Sequence, residues 1–370
     1  MDVSLRDLDD ATPTDIASTI RDAGLAGAGG AGFPTHAKWE RLDDVSYLLV
    51  NHQESEPNYY MDKWLGRTRA DEFAALFDAL LGPAVDAVVV GTKASYRERW
   101  TGALEAATDA TVHRPGDLPI DPDADARVAI AYTDDRYEYG METVLLRLVA
   151  DVVVRDGLPM DHGWIVQNTE TLYRLYRTLA ADEPVTRKYV HVDGSVPRHR
   201  MLEVPVGTPA SALLAAAGRS ADDLGADELL ADGGPGWCFA VDGPPAEFGV
   251  TKRTNGVLVL DADLVAQNTV GDDRINVLEA RDWARDHETE PTTLVPDEVR
   301  VPLLTNPAFG SLVAPSEPTV APGDRVAEGD PIARPGEGGI SNTQHASVDG
   351  RVTDVTEEYV EISAAAGTGG

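Results

Sequence analysis

The sequence turns on Gly24-Leu25-Ala26-Gly27-Ala28-Gly29-Gly30-Ala31-Gly32-Phe33-Pro34-Thr35-His36-Ala37-Lys38-Trp39, followed after an apolar run by Asn51-His52-Gln53-Glu54-Ser55-Glu56-Pro57. Five glycines in the nine positions from Gly24 to Gly32 strip this loop of side chains. Such a backbone enters conformations closed to residues with a Cβ and lets a ligand approach the main chain. Pro34 suits the first position of a helix, so the loop is expected to feed a helix N-terminus. Bare N–H groups at a positive helix end make a phosphate cradle, and Lys38, one turn further on, adds a point charge.

The loop contains Gly27-x-Gly29-x-x-Gly32, the spacing of a dinucleotide fingerprint, which requires a strand before it. The preceding segment reads instead as a helix. Thr12 is placed to cap it, Pro13 stands at its first position and Asp15 at the capping-box position. The standard dinucleotide reading therefore fails its context.

Outward from the loop, Tyr47 to Val50, Asp86 to Gly91 and Val128 to Ala131 are short continuous apolar runs. Helical spacing lies between and after them, over Ala70 to Leu81, Tyr96 to Ala107 and about Glu142 to Val149. Strands apolar on both faces, alternating with helices, predict an α/β fold with a parallel sheet covered on both sides. Ligands of such sheets sit beyond the strand C-termini, where Asn51 and the segment Tyr132 to Gly140 lie. Two further polar groups stand out: Tyr137-x-x-Gly140-x-Glu142, and Gln167-Asn168-Thr169-Glu170-Thr171 before an apolar helix. Alone, the first reads as loop packing and the second as a helix cap.

A chain of 370 residues can hold two or three domains. It shows no bilayer-length apolar run and no N-terminal signal, which predicts a soluble, cytoplasmic protein. Cys238 is the only cysteine, so neither a disulfide nor a cysteine-ligated cluster can form within one chain. The net charge is −32, and lysine occurs only at positions 38, 63, 93, 188 and 252. Acidic clusters such as Asp121 to Asp125, Asp222-Asp223 and Asp272-Asp273 read as a solvated surface suited to concentrated salt. A halophilic source is expected; a cationic partner is the other reading. The charge argues against nucleic-acid binding, which needs a basic face.

The Gly-Gly-Ala-Gly-Phe-Pro-Thr-His core with the Asn51…Glu54-x-Glu56-Pro57 segment resembles the RnfC/NuoF-like flavin-subunit family. That family comprises the flavin subunit of complex I, the RnfC subunit of ion-pumping ferredoxin:NAD oxidoreductases and, most similar, PduS-type cobalamin reductases. The resemblance implies non-covalent FMN held by Gly27, Gly29, Gly30 and Gly32, with Lys38 near its phosphate. Asn51 and Glu54 would hydrogen-bond the flavin ring or ribityl chain. Phe33 and Glu56 match positions that stack on and hydrogen-bond a nicotinamide dinucleotide, which makes NADH the expected donor. Tyr137, Gly140 and Glu142 match one segment lining the flavin pocket, with Met141 in place of a Glu. Asn168, Glu170 and Thr171 match another, with Gln167 and Thr169 as departures; Thr169 is kept among the expected contacts. Gln53 and Arg41 replace an acidic residue and an aromatic of the complex I protein, a change that could favour a different or phosphorylated donor.

The resemblance also implies the domain order. Residues 1–183 are expected to form the FMN domain, and 184–260 a β-grasp module of the soluble-ligand-binding (SLBB) type, with Asn255-Gly256 as a hairpin turn. Residues 261–298, where relatives carry cluster-binding cysteines, hold none and read as linker. Residues 299–363 are expected to form a lipoyl-like barrel-sandwich hybrid without a carrier lysine, with His345 a structural residue, and 364–370 a disordered tail. Hydride transfer to flavin is the cofactor's own chemistry, so no catalytic side chain is assigned. Glu54 and Glu56 as an acid–base pair is the rival local reading, but no nucleophile or metal-ligand set accompanies them. The expected function is a flavin-dependent module that oxidises NAD(P)H and passes electrons to a ferredoxin, a corrinoid or a membrane complex. The alternative is an assembly or scaffold subunit that kept the fold without redox activity.

Overall fold

The structure, a computed structural model, describes residues 3–124, 127–271, 273–283 and 287–365. Asp125 and Asp272 of the acidic clusters, and residues 366–370 of the expected tail, lie outside the described residues. The chain divides into two compact units. One comprises Met1–Leu25, Thr35–Ser55 and Asp62–Glu183; the other comprises Ala26–Pro34, Glu56–Met61 and Pro184–Gly370.

The first unit is built on five parallel strands: β1 (Tyr47–His52), β2 (Ala87–Lys93), β3 (Thr111–His113), β4 (Val128–Thr133) and β5 (Trp164–Asn168), in the order β3-β4-β2-β1-β5. Leu48-Leu49-Val50 and Val88-Val89-Val90 are buried whichever way their side chains point, as a sheet covered on both faces requires. Leu49, Val89, Ala129 and Val166 share a core with Leu145, Leu146 and Val149 of helix Glu142–Ala150. Helix Pro13–Asp22 opens with the expected capping box, Thr12 and Asp15 each accepting the other's backbone N–H. The helix expected over Tyr96 to Ala107 is a 3₁₀ turn, a π-helical turn at Arg97–Thr101, and an α-helix only over Gly102–Thr108.

Pro34 does not begin a helix. It bridges back to Ala26 as an antiparallel β-bridge, and the helix that follows is the four-residue His36–Trp39, whose Thr35 makes no capping bond. A helix of one turn adds little macrodipole, so the expected phosphate cradle reduces to the loop backbone itself.

The second unit carries an eight-stranded sheet of β6 (Arg187–Gly194), β7 (Arg200–Pro205), β8 (Glu228–Gly234), β9 (Trp237–Ala240), β10 (Gly256–Asp261), β11 (Thr269–Val270), β12 (Arg274–Ile275) and β13 (Thr292–Thr293). Its centre, β7-β6-β10-β8, has β6 parallel to β10 and both outer pairs antiparallel, with helix Ala210–Ala216 between β7 and β8 in sequence. This is the β-grasp arrangement. Val257 and Val259 face one core with Val190, Val192 and Leu213; Leu258 and Leu260 face another with Val277 and Trp283. The segment expected as linker, 261–298, thus supplies helix Ala262–Asn268, β11 to β13 and the cover of that second face.

Asn255-Gly256 is not a hairpin turn. Gly256 starts β10, whose neighbours are β6 and β8, and residues 251–255 before it make a turn rather than a strand paired with β10. The remaining strands β14 (Glu298–Pro302), β15 (Glu317–Pro318), β16 (Arg325–Val326), β17 (Pro331–Arg334), β18 (Gln344–His345), β19 (Gly350–Val355) and β20 (Tyr359–Ala364) form two small antiparallel sheets. They enclose Val299, Val301, Ile332, Val352, Val360 and Ile362. Ala364, expected in the tail, closes β20 against Glu298 to Pro302 and Gly350 to Val355. No described helix is long and apolar enough to cross a membrane.

Candidate functional site

In the first unit the polar residues gather where the parallel strands end. Asn51 and Asn168 are register partners at the ends of β1 and β5, while Lys93 and Thr133 pair at the ends of β2 and β4. Asn51 Nδ2 donates to the Gly140 carbonyl at 2.8 Å, and Ser55 Oγ to the Tyr137 carbonyl, also at 2.8 Å. A Cβ on Gly140 would strike Ser55 Oγ and stand 3.0 Å from Ser55 Cβ, so a larger residue here would displace the Ser55 side chain from its bond to Tyr137. Gln53 Nε2 donates to Thr133 Oγ1 at 2.9 Å, and Tyr96 OH to the Glu54 carbonyl at 2.8 Å. Buried atoms along the strands and their ends without a hydrogen-bond partner among the described residues include His52 Nε2, Gln53 Oε1, Thr92 Oγ1 and Gln167 Nε2. A buried polar atom without a partner carries a desolvation cost of about 1–3 kcal/mol.

Several expected ligands are already engaged inside this unit. Lys38 Nζ donates to the Glu142 carboxylate at 3.0 Å and to the Val166 carbonyl at 3.0 Å, so it ties the start of helix Glu142–Ala150 to β5. Asn168 is a helix N-cap: its Oδ1 accepts from the N–H groups of Glu170 and Thr171, and its Nδ2 donates to Asp62 at 2.8 Å. Thr169 Oγ1 meets His52 Nδ1 at 2.8 Å and is buried with Thr171 at the sheet–helix junction. Burial, with help from the nearby Lys63 charge, pulls His52 down to about 4, so it is neutral at pH 7.

Sequence reasoning missed Lys63, Lys93, Asp135 and Tyr96. Lys93 Nζ pairs with Asp135 at 2.8 Å, and the Lys63 and Lys93 ammonium groups stand 4.9 and 5.7 Å from the centre of the Tyr96 ring. Burial brings Lys63 down to about 8, and Glu54, itself 8% exposed, partly offsets that. A usable signal existed in composition. In a chain whose positive charge is nearly all arginine, none of the five lysines is fully exposed, and Lys63, Lys93, Lys188 and Lys252 are buried. Lysine at those positions does work that solvation does not require.

The glycine loop and Glu56 belong to the second unit. The loop closes on itself: Gly27 N–H donates to the Phe33 carbonyl and Gly32 N–H to the Gly27 carbonyl, each at 2.8 Å. Gly30 and Gly32 have φ of +92° and +64°. Asn306 Nδ2 donates to the Ala31 carbonyl at 2.7 Å, and a Cβ on Gly32 would lie 2.9 Å from the Thr305 carbonyl oxygen. Phe33 packs edge-on against Phe309 with ring centres 5.2 Å apart. Of the four expected glycine contacts, Gly27 and Gly32 therefore spend their N–H groups on the loop itself. Gly29, Gly30 and Ala31 are exposed, and among the described residues nothing accepts from their N–H groups. Glu56 is buried and accepts from Gly236 N–H at 2.9 Å. The expected site residues thus fall in both units.

Known proteins share this architecture. Residues 20–177 match the Nuo51 FMN-binding domain, and residues 275–368 the RnfC barrel sandwich hybrid domain. The cobalamin reductase PduS of Salmonella typhimurium is 31% identical over 251 residues, 66% of this chain and 50% of that protein. The RnfC-type component of the ion-translocating oxidoreductase complex of Vibrio cholerae is 30% identical over 258 residues, 68% of this chain and 30% of that component. The chain therefore spans half the length of the first relative and less of the second. Among solved structures, an NAD+-reducing [NiFe]-hydrogenase in the air-oxidized state superposes with a TM-score of 0.51 at 25% identity, covering 69% of this chain and 48% of that one.

Proposed function

Because the chain belongs to the RnfC/NuoF-like flavin-subunit family, we propose that it binds FMN non-covalently, accepts a hydride from NAD(P)H and passes electrons singly to a partner protein. The observation that carries this reading is the set of polar groups left waiting. Gln53 Oε1, Thr92 Oγ1 and Gln167 Nε2 are buried without partners among the described residues, where a parallel sheet presents its ligand-binding edge. Gly29, Gly30 and Ala31 offer exposed N–H groups of the kind that hold a phosphate. At the strand ends of the first unit the residues present fit the cofactor. Asn51, already held by Gly140, and Gln53, held by Thr133, are fixed hydrogen-bonding groups suited to the flavin ring or ribityl chain.

A bound flavin supplies the hydride-accepting and one-electron chemistry. The protein supplies position and potential. Lys63 and Lys93, desolvated near the strand ends, favour anionic groups there and would steer phosphate toward a molecule whose net charge is −32. Glu54, Glu142 and Asn168 remain as proposed contacts, with Thr169 and Thr171 acting through the junction they pack. Lys38 is proposed to act by holding Glu142 in place, since its three donors already have protein acceptors nearby.

The proposed domain division is a flavin domain over 1–183, a middle module of the soluble-ligand-binding type whose sheet runs on through β13, and a hybrid domain from β14 to β20. The proposed setting is the cytoplasm, at a ferredoxin, a corrinoid or a membrane-complex partner. With Cys238 as the single cysteine, the route from flavin to acceptor is proposed to run without an iron–sulfur cluster ligated by this chain.

The test is the visible spectrum of purified protein incubated with FMN in high salt, then mixed anaerobically with NADH or NADPH. A flavin band near about 450 nm that bleaches on adding the nucleotide supports the full reading. A band that does not bleach removes the NAD(P)H step, and protein that takes up no FMN supports the scaffold role.

A further inference from the structure

Within the second unit, three potential ligands converge from distant positions in the chain: Asp193 at the end of β6, His199 just before β7, and His287. Their ligand atoms all lie within 4.8 Å of one another. His287 Nε2 stands 3.1 Å from Asp193 Oδ2, with both side chains fully shielded from solvent. His199 is 7% exposed, and its ring centre is 4.1 Å from that of His287. We infer that Asp193, His199 and His287 form a structural site for one divalent transition-metal ion of the zinc class, clamping the chain around His287 to the β6–β7 hairpin.

The spacing fits the chemistry. Two ligands of a tetrahedral site with bonds of about 2.0–2.1 Å lie about 3.3 Å apart, close to the His287–Asp193 separation. His199 is oriented as metal-bound imidazoles are, with its Nε2–H donating to the Asn58 backbone carbonyl at 3.1 Å. Nδ1, which accepts from Glu288 N–H at 3.2 Å, is the nitrogen the ion would take over from that bond. His287 offers Nε2 by moving its proton to Nδ1. Asp193 is braced by Gly194 N–H at 2.8 Å and by Asn58 Nδ2 at 3.1 Å.

A second observation points the same way. Asn58 is 0% exposed, and its Oδ1 has no hydrogen-bond partner among the described residues, although its Nδ2 touches Asp193. A water in the fourth coordination position would donate to that oxygen. Charge agrees as well: one carboxylate and two neutral imidazoles hold a dication with a net +1, which a chain of charge −32 tolerates better than most. Two imidazoles and one carboxylate select zinc-like ions over magnesium or calcium, which prefer all-oxygen shells.

The experiment uses the full chain, stripped with chelator and dialysed into high salt with excess Mg2+, so that surface carboxylates are saturated. Zn2+ titrated by calorimetry is expected to bind at one equivalent, and Co2+ to show the visible absorption of a four-coordinate site. His287→Gln and Asp193→Asn are each expected to weaken binding at least about tenfold. X-ray absorption on the zinc-loaded wild type, which needs no variant to fold, should show two imidazole ligands. Absence of a one-equivalent site, an all-oxygen shell, or binding unchanged in both variants overturns the assignment.

Discussion

Replacing Gly32 and Gly30 separately by alanine separates the loop's architecture from its proposed use. Both residues have positive φ, where a Cβ costs about 1–2 kcal/mol. At Gly32 the new methyl would also stand 2.9 Å from the Thr305 carbonyl oxygen, 3.0 Å from Arg253 Cβ and 3.1 Å from Asn306 Cβ. Two of those neighbours are Cβ atoms fixed to the backbone and the third is backbone itself, so relief requires main-chain movement costing about 1–3 kcal/mol more. Gly32→Ala is therefore expected to lose about 2–5 kcal/mol. At Gly30 the nearest atom to a Cβ is Asn255 Nδ2 at 3.8 Å, so Gly30→Ala should lose only the conformational cost. The order reverses for ligand uptake measured on folded protein. Gly30→Ala puts a methyl on the exposed stretch whose N–H groups are proposed to hold phosphate, and FMN affinity should fall more than stability does. Urea unfolding and FMN titration, both in high salt, read the two effects. Equal stability losses in the two variants would refute the loop packing described, and unchanged FMN affinity in Gly30→Ala would refute the cradle.

Three further outcomes are expected. Asn168→Ala should cost about 1–2 kcal/mol through loss of the cap to Glu170 and Thr171. Asn168→Asp should fail to restore it, although aspartate caps well, because the new carboxylate would face Asp62 at the 2.8 Å contact. His52 titrates near 4 when folded against about 6.5 when unfolded, so the unfolded chain binds more protons in that window. This contribution to stability should be fully present above pH 6.5 and fall as the pH drops toward 4, by on the order of 3 kcal/mol, and His52→Gln, which removes the titrating ring, should flatten that profile in urea unfolding at stepped pH. Burial lowers Lys252 to about 7 from about 10.5, so wild-type stability should rise between those pH values, and Lys252→Met should flatten that rise.

Much of the first unit was legible because its signals are local. An apolar run such as Val88-Val89-Val90 reads as a doubly covered strand without reference to any other segment. Thr12 and Asp15 are three residues apart, within reach through one helical turn, so the capping box could be read directly. The site was legible less evenly. Asn51 and Gly140 were each expected near the flavin, yet their mutual hydrogen bond spans 89 positions. Lys38 was assigned to phosphate by its distance from the loop in sequence, whereas its acceptors are Glu142 and Val166, more than a hundred positions away.

The sequence by itself determined the alternation of strand and helix, the conformational freedom of the glycine loop and the surface charge, since each follows from residue type and short spacing. Tertiary structure decided which groups end as partners. It placed the glycine loop with Thr305, Asn306 and Phe309, set the capping Asn168 against Asp62, built the expected linker into the β-grasp sheet, and brought Asp193, His199 and His287 together. Such encounters depend on closing long loops and burying shared faces, free energies that no local pattern of residues records.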